Sequence, residues 1–134
     1  MAIPLPTPIA NADSQPYWDA ARDGRLMIQH CTDCGSVHFM ARQLCPSCWS
    51  QHLEWVPSQG TGKVHSFTII RRASLPAFTA QVPYVVALIE LDEGPSMVSN
   101  IVGADALDVQ IDDRVQVTFE ARGDDARIPQ FSRT

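Results

Sequence analysis

All four cysteines of this 134-residue chain fall between Cys31 and Cys48. They stand as Cys-Thr-Asp-Cys-Gly, then, after a ten-residue insert between the inner cysteines, as Cys-Pro-Ser-Cys. Two closely spaced C-x-x-C pairs are the spacing of a tetrahedral four-cysteine metal site. Two intervening residues let both sulfurs of one turn face the same ion. Gly35 permits the positive φ that such a turn needs, and Pro46 stiffens the second turn. Four thiolates at roughly 2.3 Å close the coordination sphere of Zn²⁺, leaving no position for water or substrate. Cys31, Cys34, Cys45 and Cys48 therefore read as ligands of a structural ion.

Other readings of the same cysteines stay open. Two disulfides need an oxidising compartment, and Met1-Ala-Ile-Pro-Leu-Pro lacks the charged and apolar regions of a secretory signal. A redox C-x-x-C occurs once, within a βαβ pattern. A rubredoxin-like iron site suits C-x-x-C-G and C-P-x-C locally, but Trp49 stands where a second glycine is expected and the insert is short. His30, His38 and His52 flank the cysteines; with four thiolates available, they read as surface or supporting residues rather than ligands.

The rest of the chain is long enough for one compact domain beside this small module. No apolar run approaches the eighteen or so residues of a membrane span, so the expected compartment is the cytoplasm. Charge is uneven. Residues 1–89 carry six bases and five acids, residues 90–134 four bases and ten acids. A nucleic-acid binder shows a basic footprint; here there is one lysine and no basic run beyond Arg71-Arg72.

In chain order, the proline-bearing residues 1–12 read as an extended arm. Residues 13–24 predict a helix, with Asp13 or Ser14 as N-cap, Pro16 in the first turn, Tyr17, Trp18, Ala21 and Leu26 as the apolar face, and Gly24 as the stop. Strands are expected at Leu26–His30, Val37–Phe39 and Leu53–Val56, framing the cysteine knuckles. Arg42, just before the second pair, serves either to screen the thiolate cluster or to contact an anion. Beyond Gly60-Thr-Gly62, a tight entry too short for a phosphate loop, strands are expected at Lys63–Arg72, Val82–Leu91, Met97–Val102 and Val115–Phe119. A connection with a helical turn spans Ala104–Asp113, and Pro129 demotes the tail Ile128–Ser132 to a short edge. Short strands at regular spacing with one longer connection describe a small β-barrel of the OB type. The chain divides as arm and helix 1–25, ribbon 26–57 and barrel 58–134. No catalytic motif is present, and Glu90, Asp92 and Glu93 read as a solvated turn.

In this order, Gly24-Arg-Leu-Met-Ile-Gln-His-Cys-x-x-Cys-Gly, Arg42-Gln-Leu-Cys-Pro-x-Cys, Gly62-Lys-Val-His-Ser-Phe-Thr, Tyr84-Val-Val-Ala-Leu-Ile-Glu-Leu-Asp-Glu-Gly and Ile128-Pro-Gln-Phe resemble the DUF35 proteins across residues 14–131. That resemblance implies a mainly β fold of N-terminal helix, rubredoxin-like zinc ribbon and OB-fold barrel. It also implies a non-catalytic, acyl-CoA-associated accessory subunit, whose partner is a thiolase-like, aldolase or hydratase enzyme carrying the catalytic residues. Two departures stand out. Met40-Ala41 occupy positions where the family often has prolines, and Asp112 one where it often has glycine. Arg42, Lys63, Arg71 and Arg72 are the candidates for contacts to CoA phosphates, being concentrated in the less acidic part of the chain. The alternative is a single-stranded nucleic-acid module that stacks bases on Phe67, Phe78 and Tyr84.

Overall fold

The computed structural model describes residues 3–134. One helix, α1 (Gln15–Arg22), precedes a ribbon of β1 (Met27–Cys31), β2 (Val37–His38) and β3 (Leu53–Pro57), in the order β2-β1-β3. Five further strands follow: β4 (Thr61–Ile70), β5 (Tyr84–Leu91), β6 (Ser96–Val102), β7 (Arg114–Arg122) and β8 (Ala126–Arg133). They close a barrel in the order β4-β5-β6-β8-β7, with β7 pairing back onto β4. The Ala104–Asp113 connection contains a single 3-10 turn, Ala106–Asp108.

Residue chemistry sets the ends of α1. Ser14, one of the two residues expected there, is its N-cap, but the side-chain hydrogen bonds lie one turn earlier. Asn11 N–H donates to Ser14 Oγ, and Ser14 N–H to Asn11 Oδ1; the Ser14 side chain caps nothing inside the helix. Gly24 (φ 79°) ends it as expected, its N–H bonding the Ala21 carbonyl while Arg25 N–H reaches Ala20. Tyr17, Ala20 and Ala21 form the buried face. Tyr17 meets Trp18 edge-on at 4.8 Å and Phe39 at 5.6 Å, which seats the helix against the ribbon. The N-terminal arm lies on the barrel instead: Arg122 Nη1 donates to the Pro6 carbonyl (3.1 Å).

One apolar cluster runs from Tyr17, Leu26 and Ile28 into the barrel interior. Along β5 every second side chain (Val85, Ala87, Ile89, Leu91) is buried, the period of a strand with one face inward. Gly62 sits where β4 crosses β5 so closely that a Cβ would lie 2.4 Å from the Glu90 carbonyl oxygen.

The tail departs from expectation. It is no short edge: β8 pairs with β7 along its length and with β6 in parallel, and Phe131 is fully buried. The parallel ladder to β6 begins at Phe131, beyond Pro129, so the missing proline N–H costs that ladder nothing. The Pro129 carbonyl is itself satisfied by Ser99 Oγ (3.0 Å).

Candidate metal centre

The two cysteine turns are built alike. In the first, Gly35 N–H bonds the Cys31 carbonyl and Cys31 N–H the Ser36 carbonyl, at 2.9 and 2.8 Å. In the second, Trp49 N–H bonds the Cys45 carbonyl and Cys45 N–H the Ser50 carbonyl, both at 2.9 Å. Gly35 has φ 79°, and Trp49, at the matching position, has φ 67°. The tryptophan therefore takes the left-handed conformation that glycine takes in the other turn. The backbone does not distinguish the turns as their sequences do.

This arrangement brings the four Sγ atoms within 4.8 Å of one another. Cys31 Sγ to Cys48 Sγ, and Cys34 Sγ to Cys45 Sγ, are each 3.6 Å. Four thiolates around one ion at ~2.3 Å would stand roughly 3.8 Å apart, so the cluster fits a tetrahedral ion with little rearrangement. Backbone N–H groups of Cys34 and Ser47 point at Cys31 Sγ (3.5 Å) and Cys45 Sγ (3.4 Å). Burial pushes the Cys45 thiol up, but the N–H groups of Cys48 and Ser47 and the adjacent thiols outweigh it and bring it to about 6. The Ser50 N–H favours the Cys48 thiolate, yet burial and the three neighbouring thiols push Cys48 up to about 12. Without a cation the cluster keeps protons on some sulfurs because four anions so close repel; a divalent ion bound there would replace those protons.

The histidines stand outside the cluster. His30 Nδ1 pairs with Glu54 at 2.7 Å and His52 Nδ1 with Asp33 at 2.8 Å. His38 is buried rather than at the surface, and its Nε2 meets Gln29 Oε1 at 2.8 Å.

The four candidate phosphate contacts do not converge. Arg42 is exposed on the ribbon loop, while Lys63 and Arg71-Arg72 lie at opposite ends of the ten-residue strand β4. Among the described residues none of the four makes an ion pair, whereas Arg114, Arg122 and Arg133 all do. Of the three rings expected to stack bases, Phe67 packs against the core, and Phe78 and Tyr84 lie 6.0 Å apart as a tilted pair.

Sequence reasoning missed the apolar surface of the ribbon loops. Met40, Leu44 and Trp49 are 64%, 38% and 77% exposed. Met40 has φ 76°, which a proline ring cannot adopt, so this loop differs in shape from one with proline there. The available signal was three large apolar residues in a segment otherwise suited to a solvated loop.

Residues 18–54 match the family model described as the ChsH2 rubredoxin-like zinc ribbon domain, and residues 55–120 that of the ChsH2 C-terminal OB-fold domain. A solved structure titled "Ltp2-ChsH2(DUF35) aldolase" superposes with a TM-score of 0.83 at 33% identity, covering 94% of this chain and 98% of that one. The chain belongs to the DUF35 family. Among its curated relatives, a probable enoyl-CoA hydratase alpha subunit of Thermomonospora curvata is 40% identical over 98 residues, or 73% of this DUF35 chain. The match covers only 30% of that relative's own length. The benzoylsuccinyl-CoA thiolase subunit BbsA of Thauera aromatica is 32% identical over 105 residues, 75% of this chain and 69% of that one. Among the described residues, no helix is long and apolar enough to cross a membrane.

Proposed function

We propose that this protein is an accessory subunit which binds and supports a thiolase-fold or hydratase enzyme acting on CoA thioesters. The observation that carries this is the ribbon's exposed apolar surface. Trp49 lies in the second cysteine turn, Leu44 just before it, and Met40 on the connecting loop that Gln29 holds through the Arg42 main chain; Met40 and Trp49 take left-handed conformations that non-glycine residues avoid. A rigid apolar projection loses little conformational freedom when it inserts into a partner, which favours binding. Relatives named as hydratase and thiolase subunits, and the similar solved structure of an Ltp2-ChsH2(DUF35) aldolase, support this class of partner.

In this reading Cys31, Cys34, Cys45 and Cys48 hold a structural Zn²⁺, which keeps the ribbon in shape and takes no part in chemistry. Three segments divide the work: 1–25 docks the helix, 26–57 projects the ribbon, and 58–134 forms the barrel platform. The partner contributes the catalytic groups. Arg42, Lys63, Arg71 and Arg72, free of ion pairs within the described chain, offer charge to CoA phosphates at the shared interface.

The test is affinity purification of the native complex, followed by identification of the partner and measurement of its thioester activity with and without this chain. Recovery of a CoA-thioester enzyme whose turnover needs the chain supports the reading. Turnover of a thioester by the isolated chain refutes it. Replacing Arg42 and the Arg71-Arg72 pair should weaken CoA-ester affinity of the complex; unchanged affinity rejects the phosphate contacts alone.

A further inference from the structure

Residues Ile3 to Pro8 read Ile-Pro-Leu-Pro-Thr-Pro, so each is either a proline or stands directly before one. A proline ring fixes φ at about −65°, and the residue before it is kept out of the helical region. The segment is therefore extended before it touches anything. Two extended forms differ in period: a strand repeats every two residues, a polyproline helix every three. Exposure decides between them. Over residues 3–9 only Leu5 and Pro8, three apart, are half-buried, while Ile3, Pro4, Pro6, Thr7 and Ile9 are exposed. Among the described residues the segment belongs to no sheet and takes part in no backbone–backbone hydrogen bond, as expected of a polyproline helix.

The barrel holds the inner side of this segment. Leu5 enters a small cleft with Phe78, Tyr84, Ile101 and Val102. Arg122 Nη1 donates to the Pro6 carbonyl (3.1 Å). Gly123 lies so close to Thr7 that a Cβ there would stand 2.7 Å from Thr7 Cγ2. What remains outside is a row of Ile3, Pro6 and Ile9, spaced by three residues and running about 19 Å at ~3.1 Å per residue. Ile3 is 57% and Ile9 92% exposed. No residue from 3 to 12 carries a charged side chain. This row is an apolar surface on a different segment from Met40, Leu44 and Trp49.

We infer, resting on the accessory-subunit reading for the partner, that residues 3–9 are a preformed polyproline ligand for a groove lined with aromatic rings on the partner enzyme, a contact separate from the ribbon tip. The segment dictates the chemistry of its receptor. Prolines at 4, 6 and 8 remove every main-chain donor from one edge of the extended chain, which makes it a poor addition to a sheet. Having no charge, it gains nothing from an acidic or basic groove. It offers apolar ridges at a fixed spacing, which flat rings take between them. Its carbonyls, Pro6 apart, accept nothing within the described chain, so a Trp N–H or Tyr O–H can meet them. Because the shape exists beforehand, little conformational freedom is lost on docking.

In the full metal-loaded chain, Ile9 is replaced by p-benzoylphenylalanine, and the chain is irradiated with the affinity-purified partner enzyme. The cross-link is expected on a partner segment bearing Trp, Tyr or Phe, and excess free peptide Ile-Pro-Leu-Pro-Thr-Pro-Ile should suppress it. By calorimetry, Ile3→Asp combined with Ile9→Asp should weaken the complex at least about tenfold, because each carboxylate would leave water for an apolar groove. Both side chains are exposed, so the Tm of the isolated chain should not move. Pro4→Ala, which relaxes Ile3 and its own position, should weaken the complex about two- to fivefold. Parent-like affinity of the aspartate variant, a cross-link to a segment without aromatic residues, or a cross-link only to a second copy of this chain overturns the inference. Unchanged affinity of Pro4→Ala overturns the preformed shape. Trp49→Ala separates the two contacts: affinity lost there but kept in the aspartate variant removes the arm contact and leaves the accessory-subunit reading standing. Recovery of no CoA-thioester enzyme ends that reading and this one with it.

Discussion

Replacing Trp49 by glycine and, separately, by alanine splits its backbone role from its side-chain role. Both variants lose the same indole. That ring is 77% exposed, so only about a quarter of its surface is buried, worth roughly 1–1.5 kcal/mol at ~25 cal/mol per Å². The variants differ at φ 67°. Alanine still bears the left-handed penalty of about 1–2 kcal/mol, whereas glycine escapes it but loses about 0.5–1 kcal/mol through its freer unfolded chain. Glycine should therefore be more stable than alanine by about 0.5–1 kcal/mol, and within about 1 kcal/mol of the parent. In a chain this long that is a Tm difference of about 2–4 °C, read by circular dichroism at one fixed zinc concentration because bound metal shifts Tm. Partner affinity, measured by calorimetry on the same samples, should fall in both variants by about tenfold or more, as expected of a buried aromatic anchor. An alanine variant as stable as the glycine one would contradict the strained backbone. Parent-like partner affinity in both would remove the ribbon tip from the interface.

Stripping the metal with a chelator, or Cys45→Ser, should collapse the ribbon, since zinc contributes on the order of 10–16 kcal/mol in small zinc modules; metal analysis and the colourless spectrum of a zinc thiolate separate zinc from iron, and an unchanged fold without metal would contradict the structural role. Gly62→Ala places a methyl 2.4 Å from the Glu90 carbonyl and should destabilise by about 1–3 kcal/mol, seen as a lowered urea midpoint. Arg114 binds Asp92 through two hydrogen bonds of 2.9 and 2.8 Å and, with Thr61, holds its carboxyl at about 2. The folded state thus binds this proton less readily than the unfolded chain. Stability from this pair is full above the ordinary carboxylate value and is lost as pH falls from about 4 towards 2. Asp92→Asn should flatten that acid limb of the Tm–pH curve, and an unchanged limb would rule the pair out.

The cysteine cluster was legible because a tetrahedral ion dictates local spacing, and spacing is what a sequence displays. The barrel strands were legible where one face is buried, as in β5 and β7. Pro129 misled because its missing N–H weakens a strand only where a neighbour needs that donor. Left-handed Met40, Trp49 and Asp112 could not be read, since residue type alone assigns that conformation to glycine. Asp112, at φ 70°, supplies the backbone that glycine often provides at this point in the family. A depression where α1, the ribbon and the barrel meet was invisible for another reason: segments scattered from Asn11 to Gln130 supply its walls, and only the folded chain brings them together.

Because β8 links β6 to β7, the ring of strands cannot shut until Ala126–Arg133 have left the ribosome. The last ribbon strand, ending at Pro57, emerges far earlier. At ~5–20 residues per second, roughly 4–15 s of translation separate the two events. The four cysteines of the nascent ribbon are free to gather an ion throughout that interval, while the facing borders of β6 and β7 wait with unpaired amides that another strand could capture.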